Sequence, residues 1–229
     1  MRIPQLATRA APLLCTILSG GCTGLFHSTA HPEQTYYLRA PAAAAGDGAP
    51  ATAASLRVGH PVAAPGLDSS HIMLVQADHR MNFYIGSRWP APVADVLEAL
   101  AVETLRASGA WTSVEDSTSP FPSDYLLQVA VRRFEADYTA GGAVPEVHVT
   151  LDCIIGRRAG RDLVATFMVS GAALATANRL SDVVSAFEQA TGAALAALSQ
   201  QAPQAVRAAA EHAAQNQDRP TPSISRQSQ

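Results

Sequence analysis

Residues 147–155 read VHVTLDCII, and apolar and polar side chains alternate through this stretch. One phase is apolar throughout: Val147, Val149, Leu151, Cys153 and Ile155. The opposite phase begins with His148, Thr150 and Asp152. Successive side chains of a β-strand point to opposite faces of the sheet, so the pattern predicts a strand with one face in a core.

The segments on either side predict partners for this strand. Tyr125–Phe134 alternates through Leu127, Val129 and Val131, and Leu163–Ala173 follows a turn at 156–160 that contains Arg157 and Arg158. Gly141 and Gly142 mark a second turn between the first two segments. Three strands joined by two short turns predict an antiparallel meander.

Two helices are predicted around this meander. In residues 92–108, apolar side chains recur at three- and four-residue intervals from Val93 to Leu105, which places them on one helix face. Gly109 suits the left-handed residue just past the helix end. The second helix is expected from Asp182 to Gln201, with Ser181 as its N-cap and an interruption at Pro203.

Shorter segments complete the expected sheet. Five are predicted strands, and the third and fourth of them could form a hairpin: 36–39, 56–62, 71–76, 80–85 and 111–115. Residues 40–54, rich in Ala, Gly and Pro, predict a flexible connection. The fold class is therefore α/β: a single small mixed, largely antiparallel sheet of five or six strands, flanked by two main helices.

The first 21 residues have the features of an export signal. Arg2 and Arg9 lie in a short basic start, about nine mostly apolar residues follow, and Ser19, Gly20 and Gly21 lead to Cys22. Nine residues cannot cross a hydrocarbon core about 30 Å thick, so a permanent transmembrane helix is not expected.

The small residues before Cys22 resemble a lipobox, which predicts cleavage between Gly21 and Cys22 and lipidation of Cys22. The attached chains would be fatty acyl groups such as palmitate, and an ordinary secreted protein is the alternative. The expected organisation is a signal peptide (1–21), a lipidated tether (22–34), one domain (35–202) and an Ala-rich and polar flexible tail (203–229). Thr23 is not Asp, a pattern that favours the outer membrane in enteric bacteria.

Composition restricts the classes of function. Without residues 1–21 the chain has 14 basic and 19 acidic residues, a formal charge of −5, so nucleic-acid binding is not expected. Cys153 is then the only cysteine besides Cys22 in the mature chain, and it is expected to be a buried strand thiol rather than a nucleophile.

The usual motifs of catalysis, cofactor binding and metal binding are absent from the sequence. No two histidines have the close spacing of a zinc site on one helix; His27 and His31 lie in the tether. No enzyme activity, cofactor or metal is therefore predicted. Solvated charges at sheet edges and turns are the favoured interpretation of five strand carboxylates and of two basic pairs near strand ends. Two weaker alternatives stay open: an acid–base pair among the carboxylates, and contact of the basic pairs with phosphate head groups or an acidic partner. The residues are Asp124, Glu135, Asp137, Glu146, Asp152, Arg132, Arg133, Arg157 and Arg158.

Several segments in order resemble the ABC-type transport auxiliary lipoproteins, the family that includes paraquat-inducible protein C. They are Cys22 behind the signal, Tyr36-Tyr37-Leu38, residues 67–76, Arg88-Trp89-Pro90-Ala91-Pro92, residues 127–135 and the closing helix at 182–198. The family often reads Arg-Trp-Ala-Glu-Pro-Leu where this chain has Pro90 and Ala91.

The resemblance implies a non-enzymatic, membrane-anchored component of an MCE-type ABC transport system that moves lipids between the inner and outer membranes. It implies docking from the outer membrane onto the periplasmic MCE protein, and it allows a homo-oligomer. It carries no catalytic or partner-binding residue. The alternative is an envelope lipoprotein that activates a cell-wall synthesis enzyme.

Overall fold

The computed structural model describes residues 33–41 and 52–217. The predicted signal peptide, Gly21, Cys22, His27 and His31 lie outside these residues, as do 42–51 of the expected connection and 218–229 of the expected tail. In chain order the elements are β1 (Gln34–Thr35), β2 (Thr52–Val58), β3 (Val62–Ala63), β4 (His71–Val75), β5 (Met81–Arg88), α1 (Val93–Ala107), β6 (Trp111–Glu115), β7 (Tyr125–Asp137), β8 (Glu146–Arg157), β9 (Asp162–Leu174) and α2 (Leu180–Gln217).

Strand β7 is the centre of the sheet. On one edge it pairs parallel with β2, β3 and β4 in succession, at its residues 125–127, 130–131 and 136–137. On the other edge it pairs antiparallel with β8 along its whole length, and β8 pairs antiparallel with β9. The flanks are completed by β6 beside β2, by β5 beside β4 and by β1 beside β5.

The α/β fold and the antiparallel meander are thus confirmed, and the sheet is mixed as predicted. It is larger than the small five- or six-stranded sheet expected, because nine strands join it within the described residues. The β4–β5 hairpin and strand β6 are also confirmed. Helix α1 lies where predicted, and Gly109 after it has a left-handed φ of 64°.

The core lies on the face of the sheet that carries the apolar phase of β8, called here the inner face. Helix α2 packs against β8 and β9, and α1 contacts β6 and α2. Trp89, Phe134 and Phe187 meet at the centre, with ring centroids 5.1–5.9 Å apart. These three rings join the end of β5, the middle of β7 and helix α2, so one core serves the whole described body.

The predicted strand at 36–39 is wrong. The strand there is β1, at Gln34–Thr35, and only the Tyr36 N–H still binds the sheet, at the Arg88 carbonyl. Leu38 is fully buried in the core, and Pro41 lies near Gly192 of α2. The chain therefore leaves the sheet edge to cover α2, and this tertiary packing overrides the β-propensity of the two tyrosines.

The predicted strand at 56–62 is interrupted. Val58 pairs with Leu127 and Val62 pairs with Ala130. The segment from Val58 to Val62 is therefore one residue longer than the segment of β7 that it opposes. Gly59 to Pro61 form the bulge between β2 and β3, where Pro61 has no N–H to donate.

The expected interruption at Pro203 is also wrong, because α2 is one helix from Leu180 to Gln217 with Pro203 inside it. The helix begins at Leu180, one residue before the predicted N-cap Ser181. Ala202 and Val206, on either side of Pro203, are buried in the core. Packing of these two side chains explains why the helix continues past a residue that breaks isolated helices.

Candidate ligand-binding groove

The opposite side of the sheet, the outer face, exposes most of the large apolar side chains that the body leaves in solvent. Ten such side chains occur in the described residues, and strand register places seven of them on the outer face. They are Val62, Met81, Phe83, Ile154, Leu163, Met168 and Leu174. Soluble proteins seldom concentrate exposed apolar groups on one face, so the outer face is a candidate binding surface.

A groove runs along this face over β7, β8 and β9. Its larger section has a volume of about 710 Å³, with an apolar floor that includes Val62, Leu126, Ile154 and Met168. A second section of about 450 Å³ continues it past Leu126 and Ile154 to the turn after β8. These volumes lie in the range of small-molecule sites. The two sections together are called the outer groove.

A β-bulge supplies the polar groups at one end of the outer groove. The register between β7 and β8 shifts between Val131 and Arg133, so Arg132 and Arg133 both project from the outer face. Arg132 donates from Nε to Asp152 on β8, while Arg133 binds Glu135 and Asp137 on its own strand. The charge of the Arg132 guanidinium is thus balanced beside the groove.

The other end of the outer groove is basic. Arg157, Arg158 and Arg161 line it together with one carboxylate, that of Asp162. The four-residue turn that joins β8 to β9 brings them together, and Gly160 and Arg161 have left-handed φ angles of 92° and 59°. Glycine adopts this region freely, whereas an arginine there is strained by roughly 1 kcal/mol or more. These three arginines are called the arginine end.

The guanidinium groups at the arginine end have no ion-pair partner among the described residues. Most other arginines of the described body do have one or bind a carbonyl oxygen: Arg80 binds Asp78, Arg88 binds Glu33, Arg106 binds the Val114 carbonyl and Arg179 binds Asp182. Guanidinium groups bind carboxylates and phosphates in a bidentate fashion, so an unpaired cluster suits an anion from outside the chain.

His60 lines the outer groove from the bulge between β2 and β3. Its Nδ1 lies 2.9 Å from Glu98 Oε2 on α1, and the Ser117 N–H donates to the other oxygen of Glu98 at 2.8 Å. Burial opposes ionisation of Glu98, but the contacts from Ser117 and His60 outweigh it and lower its pKa. This contact joins the groove wall to α1.

The remaining histidines of the described body are separated from one another. His71 contacts the Ser69 hydroxyl and stacks on Phe83, and His148 lies 3.4 Å from Glu146. His79 occupies a left-handed turn position, and His212 contacts the Ala208 carbonyl. No group of three or more metal-ligating side chains occurs within residues 33–41 and 52–217.

The five strand carboxylates named as acid–base candidates are each held by another group. Asp124 accepts from the Ser55 N–H and hydroxyl, which lower its pKa. Asp152 binds Arg132, Glu146 lies near His148, and Glu135 and Asp137 share Arg133. Glu135 is buried, which sequence reasoning missed when it favoured solvated sheet-edge charges.

Cys153 is a buried strand thiol, as predicted. Its burial raises the pKa of the thiol to about 12, so the group is neutral at physiological pH. A neutral thiol is a poor nucleophile, and Cys153 acts as a small apolar residue of the core.

Sequence reasoning identified Arg132, Arg133, Arg157 and Arg158 but not the outer groove. It placed all four near strand ends, whereas Arg132 and Arg133 lie within β7. A signal for the groove was present in the sequence. Ile154 and Met168 are apolar residues at positions of β8 and β9 where the alternation predicts a solvent-facing side chain. In the described part of the chain, no helix has the length and apolar character needed to span a bilayer.

Comparison with solved structures finds this fold elsewhere. A crystal structure of a protein from Xanthomonas campestris is 25% identical and superposes with a TM-score of 0.71, covering 78% of this chain and 99% of that chain. A second crystal structure, of an uncharacterized protein, is 15% identical with a TM-score of 0.56, covering 76% of this chain and 98% of that chain. The second likeness concerns the fold alone. A comparison with curated proteins finds no match.

The family model described as ABC-type transport auxiliary lipoprotein component matches residues 36–214. The chain therefore belongs to the ABC-type transport auxiliary lipoprotein family. It is a lipoprotein of the cell envelope that works with an ABC transport system, and its family is not a known enzyme family.

Proposed function

We propose that this protein is the membrane-anchored auxiliary component of an MCE-type ABC system that moves lipids between the inner and outer membranes. The acyl chains on Cys22 hold it to the outer membrane facing the periplasm, and the domain docks on the periplasmic MCE protein. The family match over residues 36–214 is the observation that carries this proposal. The apolar outer face gives it physical support, since exposed apolar surface of this extent is typical of proteins that bind a partner or a lipid.

The test is co-purification from the native envelope. The full chain, tagged at its C-terminus, is solubilised in mild detergent from cells that carry its neighbouring genes, and its partners are identified by mass spectrometry. We expect an MCE protein together with the ABC permease and ATPase. A chain that is folded and lipidated but never recovers an MCE protein contradicts the proposal. Recovery of a penicillin-binding protein instead would favour activation of cell-wall synthesis.

Self-association is tested in the same preparation. The proposal allows a homo-oligomer, and light scattering of the purified chain reports its mass directly. A monomer at all accessible concentrations would remove the oligomer from the proposal without affecting the docking step.

A further inference from the structure

The outer groove combines two properties that a single amphiphile would satisfy. Its floor is apolar along β7, β8 and β9, and its only full positive charges without partners lie together at one end, at Arg157, Arg158 and Arg161. Three arginines against Asp162 leave the arginine end with a net positive charge, whereas Arg132 and Asp152 cancel at the other end. A ligand that is anionic at one tip and apolar along its length matches this distribution.

We propose that the outer groove binds one anionic phospholipid, with its phosphate at the arginine end and an acyl chain along the floor toward Met168. The inference rests on the proposed function, because it gives the auxiliary lipoprotein a direct contact with the lipid that the system moves.

The dimensions of the groove support an acyl chain. It extends along β7 from Leu126 to Arg132, a span of six residue-to-residue steps or about 20 Å. One leaflet of a bilayer contributes about half of a hydrocarbon core of roughly 30 Å, so an acyl chain that spans one leaflet, roughly 15 Å, fits within the length of the groove.

The backbone of the floor also disfavours an extended peptide. Strands β7 and β8 are paired along both edges, so the floor above these two strands offers side chains and no free peptide groups. A peptide strand laid over Ile154 and Met168 would leave its own N–H and C=O groups without partners on that side. An acyl chain has no such groups and gains from covering the apolar surface.

The strain at Arg161 points the same way. A glycine at this left-handed position would be relaxed, so the arginine is kept in a conformation that opposes it. Its side chain completes the arginine end, which lines the groove. We infer that Arg161 is a ligand-binding residue, and that the backbone strain it causes in the turn is offset by other interactions of the fold.

The experiment uses the mature chain from residue 22 with Cys22→Ser, so that its own anchor cannot compete. The probe is dihexanoyl phosphatidylglycerol below its micelle concentration, titrated by calorimetry. We expect saturable binding of one lipid, at least tenfold weaker binding of dihexanoyl phosphatidylcholine, and at least tenfold weaker binding of glycerol 3-phosphate. The first comparison tests charge, and the second separates a lipid from a free phosphate.

The double variant Arg157→Gln/Arg158→Gln is expected to weaken binding about tenfold or more, since it removes charge-assisted hydrogen bonds to the phosphate. Arg39→Gln is the matched control, because Arg39 is exposed, forms no ion pair within the described residues and does not line the groove. For the floor, Ile154→Ser is expected to weaken binding severalfold, whereas Ile85→Ser, at an exposed site outside the groove, is not.

The variant Arg161→Gly tests lipid binding even if the other arginine variants fold poorly, because it is not expected to destabilise the fold. This substitution relaxes the turn, so the melting temperature should be unchanged or higher while lipid affinity falls. Wild-type affinity in folded Arg161→Gly and in the double arginine variant would overturn the inference. So would binding of an acidic peptide, but not the lipid, at these arginines. Lipid binding without MCE recovery defeats only the proposed function, and MCE recovery without lipid binding defeats only the inference.

Discussion

At the residue scale, hydrogen bonds and ion pairs favour the ionised form of several acidic side chains. The Asp124 carboxylate accepts from the backbone N–H and hydroxyl of Ser55, 69 residues earlier. For Asp137, burial opposes ionisation, but hydrogen bonds from Thr139 and the ion pair with Arg133 outweigh it and lower its pKa. The pKa of Glu98 is lowered in the same way, by contacts from Ser117 and His60 that outweigh its burial. The contacts of Asp124 and Glu98 each tie together two segments that are distant in sequence, whereas those of Asp137 are local.

These lowered pKa values predict a fold that loses stability in acid. The folded carboxylates have pKa values below their ordinary 3.8 and 4.5, so the unfolded chain binds more protons in that range. The contribution is complete above about pH 4.5 and is lost as the pH falls through the folded pKa values. We expect the melting temperature to be level near pH 6 and to decline below about pH 4.5.

Thermal unfolding by circular dichroism between pH 3 and pH 7 checks this expectation. Asp137→Asn should lower the melting temperature at pH 6 and make its acid dependence shallower, because the group that titrates is gone. A melting temperature that rises on acidification from pH 5 to pH 3 would contradict the assignment.

At the element scale, helix α2 lies very close to β9 at Gly171. A Cβ atom built on Gly171 of β9 would lie 2.0 Å from the Ala190 carbonyl oxygen and 3.0 Å from the Ala193 Cβ of α2. The glycine is therefore required by the approach of the helix and not by its own backbone conformation. Small residues on both elements let α2 lie directly on the inner face.

Substitution of Gly171 by alanine is expected to destabilise the fold by about 1–3 kcal/mol, since overpacking at a backbone contact must move α2 or β9. Gly156→Ala is the matched control on β8, because its Cβ would meet the nearest atom at an ordinary 3.5 Å. Chemical denaturation measures both free energies of unfolding. Equal stabilities of the two variants would show that α2 does not approach β9 so closely.

Sequence patterns predicted the local elements better than their partners. Alternation along Val147–Ile155 and the stripe from Val93 to Leu105 are signals within one element, and both predictions are confirmed. The parallel pairing of β2, β3 and β4 with β7 joins residues about 60–70 positions apart, which no local pattern encodes. The course of α2 through Pro203 depends on burial of Val206, which is likewise a tertiary effect.

The outer groove was missed for the same reason. Arg157 and Arg158 were visible in the sequence, but Arg161 joins them only through the left-handed turn that joins β8 to β9. The floor forms only when Val62, Ile154 and Met168 come side by side from three separate strands.

At the scale of the whole molecule, the proposed lipid anchor on Cys22 can be tested chemically. The chain has 16 basic residues, all of them arginine, so it contains no lysine amine. If the mature protein starts at an acylated Cys22 with a blocked α-amino group, it has no primary amine at all. The Cys22→Ser protein retains one at its N-terminus.

An amine-reactive dye therefore measures processing in intact protein. We expect the wild-type protein, purified from membranes, to remain unlabelled, and the Cys22→Ser protein to label once. Mass spectrometry of the N-terminal peptide should find the acyl chains on Cys22. A labelled wild-type protein whose mature N-terminus carries no lipid would show that the domain is held in the envelope by other means.

The central position of β7 also governs when the body can fold. Synthesis proceeds from the N-terminus, so β2, β3 and β4 exist as chain long before Tyr125–Asp137, which must pair with all three. Contacts of such large sequence separation make folding slow, and the early strands stay open to wrong associations meanwhile. The protein should accordingly depend on holdase chaperones during biogenesis, and ribosome-bound chains that end before residue 137 should remain sensitive to protease.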